Sequence, residues 1–407
     1  QAMKNKALVW IFLAMLLTCF MPSAAFAEQE PGIFHLATEP CGAEVWVDGE
    51  KQGTIPDKPG DRYTLQLSPG QYLIEAKLPE TESPDSQAYY GSRDLSVKGG
   101  EQIKVTLPLR NLKEPIRTYD DHNGYVISAA FGPEGKMAVS GASDNKVKIR
   151  NLNTGKTVHT LTDHEGSVLC VAYGPEGRLV LSGATDNTVK LWDAKSGEML
   201  HTLTGHKDDV RSVAFSPEGN HALSGSDNAT VRLWDLESGE VIRTLDGHED
   251  RVRSVTFSPE GKYALSGSWD GTLKLWDPET GNTIRTFTGH DYQVHSVAFG
   301  PNGEKLLSGA SDRTVKVWDV DTGKTLQTFT GHEDWVRAVA FGPRGERALS
   351  GSDDDTWKVW DPTEGEIIRN YTAHGGWVIS IDVSPDGKLA LTGSRDKTLR
   401  LWRLEIP

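Results

Sequence analysis

The sequence predicts an all-β chain, with a seven-bladed propeller preceded by a small β-sandwich-like domain. His122, His164, His206, His248, His290, His332 and His374 each stand 42 residues from the next. A fixed period of about 40 to 45 residues is what a four-stranded propeller blade leaves in a sequence. Every unit also repeats a Pro-to-Gly turn, at Pro133–Gly135, Pro175–Gly177, Pro217–Gly219, Pro259–Gly261, Pro301–Gly303, Pro343–Gly345 and Pro385–Gly387, where glycine supplies a φ above zero. No long helical period appears after residue 30, and 42 Gly with 20 Pro in 407 residues suit short strands joined by tight turns.

The first element is an export signal over residues 1–27. Lys4 and Lys6 form its positive start, Ala7 to Phe20 its apolar run, and Ala25, Phe26, Ala27 a small-x-small cleavage site. The mature chain would begin at Glu28 in a periplasmic or extracellular setting. Two alternatives stay open: retention of the apolar run as a membrane anchor, and lipidation at Cys19. Thr18 and the continuation of the run past Cys19 weigh against the second. Gln1 and Ala2 precede the expected initiator Met3. Removal of Cys19 leaves Cys41 and Cys170, too few for a disulfide framework. Cys170 fills a strand position held elsewhere by Ser128, Ser212, Ser254, Ser296, Ala338 and Ser380, and reads as a small buried residue. The formal net charge of −14 excludes a sequence-independent grip on nucleic acid, which needs clustered Lys and Arg.

Residues 28–110 do not share the period. Glu44 to Val47 alternates and meets Asp48-Gly49, a pair suited to a type I′ hairpin. Ser68, Pro69, Gly70 turns into Tyr72, Leu73, Ile74, and Gly99, Gly100 turns into Ile103 to Leu107. Pro79 to Gln87 reads as a solvated loop between strands. Pro40 to Ala43, Val45 to Gly49, Gly53 to Pro56 and Leu67 to Tyr72 follow the order of a PEGA domain, which this segment resembles, with Cys41 where the motif has Glu. That resemblance implies a small β module of bacterial envelope and surface proteins. Residues 111–115 form a short linker. The stretch from Arg110 to Pro115 spans at most about 20 Å, which would hold the domain beside the last blade.

The propeller is expected over residues 116–407. In the second repeat, Val168 to Tyr173 is strand a, Leu179 to Ser182 strand b, and Thr188 to Trp192 strand c, with strand d after the Lys195, Ser196, Gly197 turn. Gly-His at the start of a unit and Trp-Asp at its end make the repeats resemble the WD40 family. After the seventh strand c, Thr398 to Trp402, no sequence remains for an outer strand. Pro115 to His122 aligns with Val241 to His248, so residues 116–120 should close blade seven and remove the exposed edges.

A Ser, a His and an Asp recur together with a Trp: His164, Ser182, Asp186, Trp192; His248, Ser266, Asp270, Trp276; His290, Ser308, Asp312, Trp318; His332, Ser350, Asp354, Trp360; and His374, Thr392, Asp396, Trp402. A catalytic triad is needed once, with its own oxyanion donors, so repetition in blade after blade marks scaffold. The WD40 resemblance implies a buried chain from Trp N–H through Ser and His to Asp. Blade one has Arg150 and Asn151 in place of Trp-Asp, and blade three has Asn228 at the carboxylate position with Asp227 one residue early. These two blades are expected to be the least well pinned, or to serve a special function that excuses the change. Asp353, Asp354, Asp355 lacks the alternation of a calcium loop, and no metal or cofactor is expected.

Information about a partner lies where the repeats differ. Three residues after each His stand Tyr125, Ser167, Asp209, Arg251, Gln293, Trp335 and Trp377; five after stand Ile127, Leu169, Arg211, Arg253, His295, Arg337 and Ile379. Just before the blade Asp stand Ser143, Thr185, Asp227, Trp269, Ser311, Asp353 and Arg395. The resemblance implies that these positions surround the central opening and contact partners. Arg211, Arg251, Arg253, Trp269, His295, Trp335, Arg337, Trp377 and Arg395 therefore form a candidate patch, since Trp and Arg dominate interface hot spots. The competing reading pairs the arginines with Asp209, Asp250, Asp334 and Asp353 as solvated ion pairs. Replacing Arg253, Trp335 and Arg337 together is expected to abolish capture of an acidic or carboxylate-ended peptide and to leave the fold intact.

The function expected is a non-enzymatic, exported scaffold for other envelope proteins, a monomer or one member of a hetero-complex. Carbohydrate binding is the alternative, with Trp269, Trp335 and Trp377 as stacking platforms. A propeller enzyme is a third class and would need a unique polar cluster outside the repeating set, which the sequence does not show.

Overall fold

A computed structural model describes residues 114–404 apart from residue 373, together with strand segments and the turn residue Asp48 between residues 32 and 111. The export signal, Cys19, Cys41, Gly49 and the Pro79 to Gln87 loop lie outside the described residues. The chain divides into two units, Gln1–Glu114 and Pro115–Pro407.

In the first unit Gly32–Ala37 lies between Tyr63–Leu67 (antiparallel) and Gln102–Thr106 (parallel). A second, five-stranded sheet runs Glu50–Thr54, Glu44–Val47, Gly70–Lys77, Tyr89–Val97, Arg110–Asn111. Alternation along Glu44–Val47 buries Val45 and Val47, and the strand turns at Asp48, whose φ is 48°. The last strand takes in Asn111, opposite Tyr89, so the linker expected over residues 111–115 starts one residue later. An edge strand gains a backbone partner by that one-residue extension.

The second unit is seven four-stranded antiparallel sheets. In the second, Val168–Tyr173, Leu179–Ala184, Val189–Asp193 and Met199–Leu203 run in order from strand a to strand d. The seventh is built from Val378–Val383, Leu389–Ser394 and Leu399–Arg403, and its fourth strand is Arg117–Tyr119. Leu399, Arg400 and Leu401 pair with Tyr119, Thr118 and Arg117, and Ile116 N–H donates to Leu401 O at 2.7 Å. The ladder is thus shorter than the 116–120 stretch read from the sequence.

Blades pack face to face through apolar clusters that straddle neighbours; Leu181 and Leu191 of blade two meet Val210, Val213 and Trp234 of blade three. One glycine in each strand b makes room for the valine of the next blade. A Cβ on Gly183 would come within 2.6 Å of Val210 Cγ1, and on Gly141 within 2.5 Å of Val168 Cγ1. The inner edge is tied by strand-a serines: the Oγ atoms of Ser128, Ser212, Ser254, Ser296 and Ser380 accept the N–H of Val171, Val255, Val297, Val339 and Ala129 at 2.9–3.1 Å. The last of these joins blade seven to blade one. There Asp382, where other blades carry Ala or Thr, accepts a further N–H from Phe131 at 2.7 Å. Burial pushes the Asp382 carboxyl up to about 6.

Candidate functional site

Each of the five complete repeating sets forms one continuous chain. In blade two Trp192 Nε1–H donates to Ser182 Oγ at 2.8 Å, His164 Nε2 lies 2.7 Å from the same oxygen, and His164 Nδ1 lies 2.7 Å from Asp186 Oδ2. Matching chains join Trp276, Ser266, His248, Asp270; Trp318, Ser308, His290, Asp312; Trp360, Ser350, His332, Asp354; and Trp402, Thr392, His374, Asp396. Burial alone would raise the aspartates, but the His and Thr hydrogen bonds overcome it and hold Asp186, Asp270, Asp354 and Asp396 well below the usual carboxylate range. Burial also lowers His332 and His374, which favours their neutral forms. Each serine or threonine oxygen is held by its indole and imidazole inside the blade, and this is scaffold geometry.

The two departing blades differ from each other. In blade one Arg150, fully buried, takes the indole's place: Nη1 donates to Ser140 Oγ and Nη2 to Asp121 Oδ1, the latter at 2.6 Å. Lys148 and Thr157 also bond Asp121, and His122 still reaches Ser140 at 2.9 Å and Asp144 at 3.0 Å. Blade one is therefore well pinned, contrary to expectation, because an Arg–Asp pair replaces the Trp. Blade three fits the expectation. His206 and Trp234 reach Ser224, but Asn228 holds Thr230 and His206 Nδ1 is left without a hydrogen bond of normal length. Burial and the nearby Arg232 pull His206 down to about 4.

A channel of about 720 Å³ runs between the seven strands a. In each strand a the register slips by one residue, between Val126 and Ser128 in blade one and at the matching place in every other blade. The slip leaves Ile127, Leu169, Arg211, Arg253, His295, Arg337 and Ile379 out of the ladder, where they line the channel. A bulge re-aims one side chain and is common beside functional sites.

All nine candidate residues meet along one arc of this mouth. Arg251 and Arg253 lie over Trp269, with guanidinium carbons 4.8 and 5.0 Å from the ring centre. Trp269 meets His295 edge-on at 6.2 Å, and His295 stacks on Trp335 at 5.7 Å. Arg337 lies over Trp335 at 4.7 Å and over Trp377 at 5.4 Å, and Arg395 covers Trp377 at 3.6 Å. Arg395 also reaches Tyr125, a variable-column residue outside the candidate patch, which extends the arc by one. All three indoles proposed as sugar platforms thus carry an arginine or imidazole against the ring.

The arginines divide into two groups. Arg337 is bidentate to the buried Asp353, Nε to Oδ1 at 2.8 Å and Nη2 to Oδ2 at 2.6 Å. Arg211 Nη2 lies 2.6 Å from the buried Asp227 and 2.8 Å from Asp209. These pairs are partly desolvated, and removing one partner from a buried pair costs roughly 3–5 kcal/mol. Replacing Arg337 would therefore strand Asp353, so the triple substitution carries a stability cost of its own beside any loss of capture. Asp250 and Asp334 are engaged by the backbone N–H of Arg251 and Trp335. The second group is loosely compensated: Arg251 and Arg253 reach Asp227 only at 3.6 and 3.8 Å. Among the described residues no carboxylate lies within 4.0 Å of Arg395. Burial and the adjacent Arg211 push Arg253 down to about 9, still protonated at neutral pH. Burial, with Arg337 and Arg253 adding to it, holds His295 at about 2, so it is neutral there.

Asp208, Asp209 and Asp227 bring one oxygen each within 4.8 Å of one another, but the Arg211 guanidinium already bonds two of them. The acidic run at 353–355 is split between Arg337, His332 and a left-handed turn at Asp355, φ 65°.

Seven stretches, 113–151, 155–193, 197–235, 239–277, 281–319, 323–361 and 365–403, match the model of the WD domain, G-beta repeat. The chain belongs to the WD40 family, whose propellers are generally scaffolds for protein interaction. Comparison of the whole chain with curated proteins finds no match.

Proposed function

We propose that the chain is a non-enzymatic scaffold of the bacterial cell envelope that captures a partner protein through an acidic segment laid on the channel mouth. The observation that carries this reading is the arc from Arg251 to Arg395, in which the guanidinium groups of Arg251, Arg253 and Arg395 rest on indoles, the first two sharing only Asp227 at 3.6 and 3.8 Å and the third with no carboxylate within 4.0 Å among the described residues. An arginine held on an aromatic face has already lost much of its rotamer freedom, so an arriving carboxylate finds its donors oriented. Trp335, 42 % exposed, adds apolar area within the arc. On a chain of net charge −14, a local cationic arc also selects against unrelated basic surfaces.

Export to the envelope is supported by the charged start, apolar run and small-x-small site within residues 1–27. The PEGA-like order of Val45 to Gly49 and Leu67 to Tyr72 supports the same setting. Carbohydrate binding is the weaker reading because each of the three indoles already carries an arginine or imidazole against its ring, which competes with a stacked sugar. The test is quantitative capture from a lysate of the native organism with Arg253→Gln, Trp335→Ala and Arg395→Gln combined, a set that spares the Asp353 pair. Loss of the captured proteins with an unchanged melting temperature is expected, and undiminished capture would overturn the reading.

A further inference from the structure

The seven bulged residues form a ring of two unlike arcs. Ile379, Ile127 and Leu169 occupy the consecutive blades seven, one and two; Arg211, Arg253, His295 and Arg337 occupy blades three to six. In a closed ring of seven, blade four stands opposite the junction of blades seven and one, so Arg253 faces the aliphatic arc across the bore. We infer that this ring receives a peptide end-on and reads a carboxy-terminal aliphatic residue, the α-carboxylate on Arg253 and the side chain against Ile379, Ile127 and Leu169. The inference rests on the reading of the channel mouth as the partner-binding face.

Three observations support it. Asp227 lies within 4.0 Å of three arginines and is within hydrogen-bond distance of Arg211 alone, so Arg253, which lines the bore, keeps donors that no carboxylate takes up. Guanidinium and carboxylate match in a planar, two-bond geometry, which makes arginine the side chain suited to a carboxylate there. The charged side chains lining the bore are Arg211, Arg253, Arg337, Arg395 and Asp382. Asp382 belongs to the far part of strand a, so an anion is attracted to the bulge ring and not drawn deeper. A terminal residue carries its carboxylate and its side chain on one carbon atom and can touch both arcs at once. An internal Asp or Glu brings chain on both sides of the anion, and the bore has an aliphatic wall where that chain must pass.

The experiment uses a hexapeptide library with a free carboxyl terminus, randomised at its last four positions, and its carboxamide twin, both against the full chain. Leu, Ile and Val should be enriched at the final position, and amidation should weaken binding about ten-fold. Arg253→Gln should bring the acid-to-amide ratio close to one. Leu169→Ser with Ile127→Ser should relax the final-residue preference and keep the dependence on the carboxylate. Thermal melts identify any variant that fails to fold, and Arg395→Gln, at the rim, supplies a second cationic variant. Equal binding of acid and amide, no aliphatic preference, an unchanged ratio in Arg253→Gln, or no binding by either library would overturn the inference. If internal acidic peptides bind as amides and are lost in the Arg253, Trp335 and Arg395 variant, the face reading stands and the end-on inference alone falls.

Discussion

Asn228→Asp should stabilise the propeller by giving His206 the carboxylate it lacks. In five blades the imidazole Nδ1 lies 2.6–2.8 Å from its Asp oxygen. In blade three Nδ1 is buried without such a bond. A hydrogen bond to a charged group is worth about 1.5–3 kcal/mol, and the cost of partly burying a new carboxylate beside Asp227 offsets a share of it. A net gain of about 1 kcal/mol raises the melting temperature by roughly 2–4 °C in a domain of this size. The pH dependence is more telling. His206 sits at about 4 in the fold, below the ordinary histidine value. Its contribution is complete above pH 6.5 and is lost as pH falls from 6.5 towards 4, because the unfolded chain takes up a proton that the fold refuses. That shift corresponds to about 3 kcal/mol. A carboxylate at position 228 raises the folded value and removes most of this loss, so the gap between variant and parent should widen from pH 7.5 to pH 5. Equal melting at both pH values, or a less stable variant at pH 5, would refute the reasoning.

Gly183→Ala places a methyl group 2.6 Å from both Val210 Cγ1 and Cys170 Sγ, and should cost about 1–3 kcal/mol in denaturant unfolding. Cys170, buried and pushed up to about 12, should not react with a thiol reagent until the chain unfolds. Asp382→Ala removes a carboxyl that burial raises to about 6 in the fold, so the parent loses stability as pH rises from the ordinary carboxylate range through about 6 and the variant does not. Relative to the parent the variant should fare better at pH 8 than at pH 5, and parallel stability curves would count against this. Arg150→Trp should destabilise blade one by leaving Asp121 beside an indole in place of its guanidinium partner, which is measurable as a lower melting temperature.

Much of this architecture is legible in the sequence because a propeller writes its period into the chain. The histidine spacing gives the blade count, and the alignment of Pro115 to His122 with Val241 to His248 leads to the strand that completes blade seven. What was not legible depends on contacts between units of the repeat. Arg150 looked like the loss of a Trp, since nothing local marks Asp121 as its partner 29 residues earlier. The sequence leaves open whether the arginines are free or ion-paired; the fold pairs Arg337 with Asp353 and Arg211 with Asp209, as the competing reading has it, and adds Asp227, and the burial that makes these pairs more than solvated contacts is not written in the variable columns. The bulge that turns Ile127, Leu169 and Ile379 into the channel is a register slip within strand a, and alternation alone does not reveal it. A column of residues that resembles a list of contacts in sequence thus becomes, in the ring, two facing arcs.

A partner held at the channel mouth must touch the propeller there and nowhere on its outer strands. Hydrogen exchange of the full chain, alone and with its captured partner, measures this. Protection is predicted at residues 251–253, 293–295, 335–337 and 377–379, with no change at the outer strands Met199–Leu203 and Val241–Asp246. Protection confined to those outer strands, with the channel mouth exchanging as freely as before, would contradict it.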